Sequence, residues 1–100
     1  MNVNNFEIFL KNAGTIKTLK AQKSRVTKAK AAEAYLSTNL DIIVKNDRLM
    51  FDSLVKLENG LDNPNHEPHQ NALRWYYKMA NGKEFPRKRA YAKMNGIQYP

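Results

Sequence analysis

The sequence predicts an all-α domain: a compact bundle of four helices followed by a basic C-terminal tail. Three observations carry this reading. Apolar residues recur at three- and four-residue spacing in four separate stretches. Glycine and proline stand at or between the ends of those stretches, where they punctuate helices. Only one run, Leu40-Asp41-Ile42-Ile43-Val44, suits a strand, and it has no second strand to pair with. A chain of 100 residues is the size of one domain.

The first helix falls within residues 1–14. Asn4 is the expected cap, with Glu7 three residues on as a weakened capping box. Val3, Phe6 and Leu10 share a face, with Phe9 beside them, and Gly14 is the stop. The second helix begins near Thr15 or Thr18 and runs to about Ser37. It has no Gly or Pro and is rich in Ala and Lys, both good helix formers. Leu19, Gln22, Val26, Ala29 and Leu36 fall on its core side at about 100° per residue. Lys17, Lys20 and Lys28 fall opposite, with Tyr35, and Lys23 and Lys30 flank the core side. Its many alanines ask for a close helical neighbour. The run Leu40–Val44 reads as a buried connector.

The third helix starts after Asp47 as cap. Met50, Leu54, Leu57 and Leu61 set its spacing, Phe51 and Val55 widen it, and Gly60 stops it. A turn-rich loop with Pro64 follows. Pro68 suits the first turn of the fourth helix, where its missing N–H costs nothing. That helix is closed by Gly82. Ala72, Leu73, Trp75, Tyr76, Tyr77, Met79 and Ala80 give it a broad apolar arc, and Asn71, Arg74 and Lys78 a narrow polar stripe. Such an arc suits a helix buried between others. Residues 1–82 thus form the helical domain and 83–100 a basic extension. In the extension Phe85 docks on the core, residues 87–94 form a short helix, and 95–100 are loose.

Composition removes several function classes. There is no cysteine, so no disulfide framework, thiolate metal site or cysteine nucleophile. No apolar run approaches the roughly 18 residues of a membrane span, and the N-terminus does not read as a secretory signal. A cytoplasmic location is expected, without membrane partners. No Gly-rich phosphate loop and no nucleophile elbow occurs, so no enzymatic activity and no cofactor are expected. His66 and His69 flank Glu67 and Pro68. They read as polar residues of a loop or first helical turn, and no metal site is expected. Trp75, Tyr76 and Tyr77 read as core rather than as a base-stacking platform.

The charge pattern points to a polyanion. Lys and Arg total 17 against 9 Asp and Glu, a net charge of +8. Between Glu7 and Glu33 every charge is positive: Lys11, Lys17, Lys20, Lys23, Arg25, Lys28 and Lys30. After Glu67 come Arg74, Lys78, Lys83, Arg87, Lys88, Arg89 and Lys93, with only Glu84 against them. Two basic thirds flank an acidic middle. If they meet in space they form one positive face, the electrostatic footprint of a nucleic-acid binder. Thr18, Gln22, Ser24 and Thr27 supply polar groups along the second helix to position it or to read base edges.

The stretch FLKNAGTIKTLKAQKSRVTKAKAAEAYL resembles the start of the core-binding, SAM-like N-terminal domain of tyrosine recombinases, the phage integrases. Thr18, Ser24-Arg25-Val26 and Tyr35-Leu36 stand at the matching places. NLDIIV resembles the family's link into its third helix, and QNALRWYYKM its last helix. The resemblance covers about residues 4–82. It implies a four-helix SAM-like bundle that clamps duplex DNA with its second and fourth helices. Thr18, Lys20, Lys23, Lys28, Gln70, Arg74 and Lys78 are the contacts it implies. Lys17 joins them from the charge pattern, and Arg87 and Lys88 of the 87–89 cluster add a further grip. Gln22 departs from the family, which often has an aromatic there. No His-x-x-Arg occurs, so this chain is not expected to recombine DNA by itself. RNA is a further partner compatible with the charge. The alternative is a protein-interaction module, such as a phage or mobile-element inhibitor that docks an acidic partner.

Overall fold

A computed structural model describes residues 1–60 and 66–100. The residues described are helical and turn in character, with six helices among them. They are α1 (Val3–Asn12), α2 (Leu19–Leu36), α3 (Leu40–Ile43), α4 (Asp47–Gly60), α5 (His66–Asn81) and α6 (Lys88–Met94). Leu61 and Pro64, read above as part of a helix face and a loop, lie outside the described residues.

Local chemistry sets most helix ends. Asn2, not Asn4, caps α1, its side chain accepting from Asn5 N at 3.0 Å. The helix starts earlier than expected because Met1 and Asn2 are anchored. The Met1 ammonium reaches Glu33 at 2.9 Å and Asn39 at 2.9 Å, and Asn2 N donates to Tyr76 Oη at 2.8 Å. Thr18 caps α2, accepting from Ala21 N at 3.1 Å. Asn46 rather than Asp47 accepts from the first turn of α4, at Leu49 N, 3.0 Å away. Asp47 instead accepts from Tyr77 Oη at 2.8 Å, tying α4 to α5. Each side-chain cap is worth about 1 kcal/mol. Gly14 and Gly82 take positive φ just after α1 and α5, as stop residues do.

The short connector Leu40–Val44 is a helical turn. Leu40, Ile43 and Val44 are buried in it, while Ile42 faces solvent, 57% exposed. Glu33 explains part of this turn: besides holding the Met1 ammonium, it accepts from Leu40 N at 2.9 Å. One carboxylate therefore joins the chain start, α2 and α3.

The bundle is organised around α5. It packs on α2 most extensively and also on α1, α3 and α4. Ala29 and Ala32 of α2 are fully buried, and with no side chain beyond Cβ they let the two helices approach closely. Tyr76 and Tyr77 are core, as expected, and each buried ring finds a hydrogen-bond partner for its hydroxyl. Tyr76 donates to Asp41. Trp75 is half-buried, edge-on to Phe9 of α1 with centroids 6.2 Å apart.

The fold continues past Gly82. Phe85, Tyr91 and Ala92 belong to the same apolar cluster as Leu54 and Leu73. Phe85 lies edge-on to Tyr77 at 5.1 Å, and Tyr91 stacks on Phe51 at 5.2 Å. Residues 95–100, expected to be loose, are fastened. Ile97 N donates to Ala92 O at 2.8 Å, and Tyr99 Oη donates to Glu58 at 2.6 Å. The Cα radius of gyration, 13.1 Å, matches the ~13 Å of one 100-residue domain, so the basic C-terminal segment is part of the body. Among the described residues no helix is long and apolar enough to cross a membrane.

Candidate nucleic-acid interface

The longest one-signed surface lies on α2. Val26, Ala29, Ala32 and Leu36 turn inward. Lys20, Lys23, Ser24, Thr27, Lys30, Ala31 and Ala34 are exposed. At about 100° per residue these fall in one arc opposite the buried set. Lys23 and Lys30, expected at the flanks, are exposed; Lys28, expected to face outward, is half-buried at the edge of the arc. Lys17 and Thr18 lie exposed just before the helix. Among the described residues Lys17, Lys20, Lys23, Lys28 and Lys30 have no carboxylate within ion-pair distance. The lysines that make this surface are thus free to meet an outside anion. The residues between them are small, which leaves a slim helix face.

Leu19 departs from expectation: it is 65% exposed. Ile16, in the turn before the helix, fills the core position instead, and Gln22 Nε2 bonds Ile16 O at 3.1 Å. Leu19 lines a shallow recess between α1 and α2 with Glu7, Lys23 and Lys30. Arg25 lies toward the core side. Its Nη1 donates to Ala21 O at 3.4 Å, and its Nε is buried without a hydrogen-bond partner among the described residues. Tyr35, expected beside the outward lysines, leans instead over Gly60 at the end of α4.

The other expected contacts divide differently. Gln70 is 6% exposed, its amide paired with His66 Nδ1 at 3.0 Å. Lys88 is half-buried and paired: its ammonium donates to Gln70 Oε1 at 2.5 Å and to Glu58 at 3.1 Å. Both side chains are engaged by partners within the protein. Burial of charge demands this pairing, and only tertiary structure supplies Glu58 as the partner. Glu58 is held below the usual carboxylate range, first by the Tyr99 hydroxyl bond and then by Lys88, against an opposing effect of burial.

Arg74 is half-engaged. Its Nη1 donates to Phe85 O at 2.8 Å and Pro86 O at 3.1 Å, and its guanidinium lies over the Phe85 ring. Burial pulls its pKa below the usual arginine value, with Glu84 opposing and Arg87 reinforcing the fall. Lys78 sits over the Trp75 ring at 5.2 Å and 3.9 Å from Glu84. Arg87 is exposed.

The basic groups of α5 and of α2 line different recesses: Arg74, Lys78 and Arg87 line one beside α5, and Lys23 and Lys30 line the one beside α1. On α5 the stripe Asn71–Arg74–Lys78 lies roughly half a turn around the helix from the buried Leu73 and Tyr76. No protein-family model matches the chain, and no match is found among curated proteins or solved structures.

Proposed function

We propose that this chain is a non-catalytic nucleic-acid-binding module that grips duplex DNA through the exposed face of α2. The observation that carries the reading is the row Lys20, Lys23 and Lys30 on one helix face, exposed and unpaired among the described residues. Lys20 and Lys30 are separated by roughly 15 Å along the axis at 1.5 Å per residue. A helix with side chains is about 10–12 Å across, a fit to the roughly 12 Å major groove. The lysines take phosphates on the groove walls, and Ser24 and Thr27 lie between them, toward the base edges. Lys17 and Thr18 extend the contact at the start of the helix. Of the contacts implied by the likeness to integrase core-binding domains, those of α2 are kept. Gln70 of that set, and Lys88 of the 87–89 cluster, are given up to internal pairing.

Neutralising phosphates releases counterions, so binding weakens steeply with salt, with a log–log slope of about −0.9 per phosphate. The test is a mobility-shift titration at low and physiological salt, with duplex DNA, single-stranded DNA and RNA side by side. Changing Lys20, Lys23 and Lys30 together to Glu should abolish duplex binding and leave helical circular dichroism intact. Unchanged affinity in that variant overturns the proposal. RNA preferred over duplex DNA moves the function to RNA.

One observation favours a second reading. Leu19 stands exposed beside Lys23 and Lys30, a mixed apolar and basic surface suited to an acidic protein partner. That reading expects little duplex binding at physiological salt and a defined complex with an acidic protein.

A further inference from the structure

A second cationic site, with no α2 residue in its lining, lies beside α5. A cavity of about 340 Å³ opens between α5 and the segment leading into α6, lined by Arg74, Trp75, Lys78, Glu84, Phe85 and Arg87. Three cations and one carboxylate face it, leaving two positive charges uncompensated. Glu84 is well exposed, and among the described residues its only ion pair is with Lys78, at 3.9 Å. Arg74 is fixed in place by its Nη1 bonds to Phe85 O and Pro86 O. Its Nη2 and Nε make no hydrogen bond to described residues and are not sealed from solvent. A guanidinium already oriented by protein loses little freedom on binding an anion. The groove runs on past Arg74 and Arg87 toward His66 and Lys88, where Glu58 and Glu67 offset the positive charge. The unsatisfied charge is concentrated at the Trp75 end.

We infer that this groove binds a phosphate monoester, of the kind carried by a free nucleotide or by the 5′ end of a nucleic acid. A monoester carries about −1.5 to −2 charges near neutral pH and three acceptor oxygens. That matches the uncompensated charge and the donors of Arg74, Arg87 and Lys78, whereas a carboxylate brings one charge and two oxygens. Guanidinium forks suit phosphate geometry. Trp75 and Phe85 form apolar walls beside the charges, a place for the sugar and base attached to the phosphate. The site is separate from the lysines of α2, and its occupancy does not depend on them.

Trp75 is the only tryptophan in the chain, so its fluorescence reports this cavity directly. Wild-type protein is titrated with AMP, inorganic phosphate and adenosine, then with one oligonucleotide carrying either a 5′-phosphate or a 5′-hydroxyl. AMP and phosphate should give saturable changes, and adenosine none. Arg87→Glu should weaken AMP at least about tenfold, the scale of one lost charge-assisted contact. The fold uses Arg87 through its backbone carbonyl, which accepts from Tyr91 N at 2.9 Å, so this variant should stay folded by circular dichroism. The variant with Lys20, Lys23 and Lys30 changed to Glu should bind AMP as wild type does, which separates this site from the α2 interface. In that same variant, preference for the 5′-phosphate oligonucleotide identifies a nucleic-acid end as the ligand, and its absence alongside AMP binding identifies a free nucleotide. No response to AMP, an equal response to adenosine, or unaltered AMP affinity in Arg87→Glu overturns the inference.

Discussion

The hydroxyl of Tyr35 occupies the space that a side chain on Gly60 would need: a β-carbon built on Gly60 falls 1.5 Å from Tyr35 Oη and 2.6 Å from its Cζ. Gly60 ends α4, and Tyr35 lies near the end of α2, so this contact joins the two helix ends. Alanine is ordinarily better than glycine in a helix by about 0.5–1 kcal/mol. Here the added methyl must evict the Tyr35 ring, which is 37% exposed and able to swing outward. Gly60→Ala is therefore expected to be neutral or destabilising in the wild-type chain and stabilising in a Tyr35→Ala background. A double-mutant cycle by urea denaturation checks it, with a coupling of about 0.5–2 kcal/mol expected for residues in contact. Equal effects of Gly60→Ala in both backgrounds would show that the ring does not rest there.

Lysines that look alike in the sequence carry opposite duties. Lys88 is 15% exposed and holds Glu58 and Gln70 together, whereas Lys23 is exposed and unpaired among the described residues. Lys88→Ala leaves the buried Gln70 and the half-buried Glu58 short of a donor and should cost about 1–3 kcal/mol of stability. Its duplex affinity should be unchanged. Lys23→Ala should reverse the pattern, within about 0.5 kcal/mol of wild type in stability but weaker on DNA with a shallower salt slope. Denaturation and mobility shift on the same two variants decide the matter. A Lys88 variant of full stability and reduced affinity would return that residue to the interface.

These pairs show what periodicity can and cannot read. The extents of α2, α4 and α5 follow from local signals that act within a few residues: Thr18 as a cap, Gly82 as a stop, apolar residues at helical spacing. Phe6, Leu10, Val26, Met50, Leu54, Leu73 and Tyr76 were legible as core for the same reason. Glu33, Asp41, Asp47 and Glu58 were not legible, because their partners lie far along the chain: Met1, Tyr76, Tyr77 and Lys88. Leu19 shows the complementary failure. It has the right residue type at nearly the right angle, but Ile16 fills the position first. The same limit governs the interface. Charge runs locate lysines on a helix, yet which face of the bundle a helix presents depends on its neighbours. Burial of Leu73 and Tyr76 is what turns Arg74 and Lys78 to the opposite side of α5.

The Tyr99–Glu58–Lys88 cluster gives the fold a pH dependence whose sign can be fixed. Tyr99 Oη donates to Glu58 Oε1 at 2.6 Å, and Lys88 donates to Oε2 at 3.1 Å. Both favour the ionised carboxylate, the tyrosine bond most, and together they hold its pKa below 4.5 despite burial. A carboxyl group whose folded pKa is depressed binds fewer protons in the folded than in the unfolded state as pH falls. Its contribution is therefore fully present above the unfolded value of 4.5 and is lost as pH drops through the lower folded value. Glu58→Gln keeps an acceptor for Tyr99 and removes the charge. Wild type should exceed Glu58→Gln in unfolding free energy at about pH 7, and the gap should close progressively below about pH 4.5. The difference between the two proteins at each pH reports Glu58. Urea denaturation at intervals across that range measures it. A gap that stays constant down to acid pH would mean that the cluster holds the C-terminal segment by shape and hydrogen bonding, without the charge.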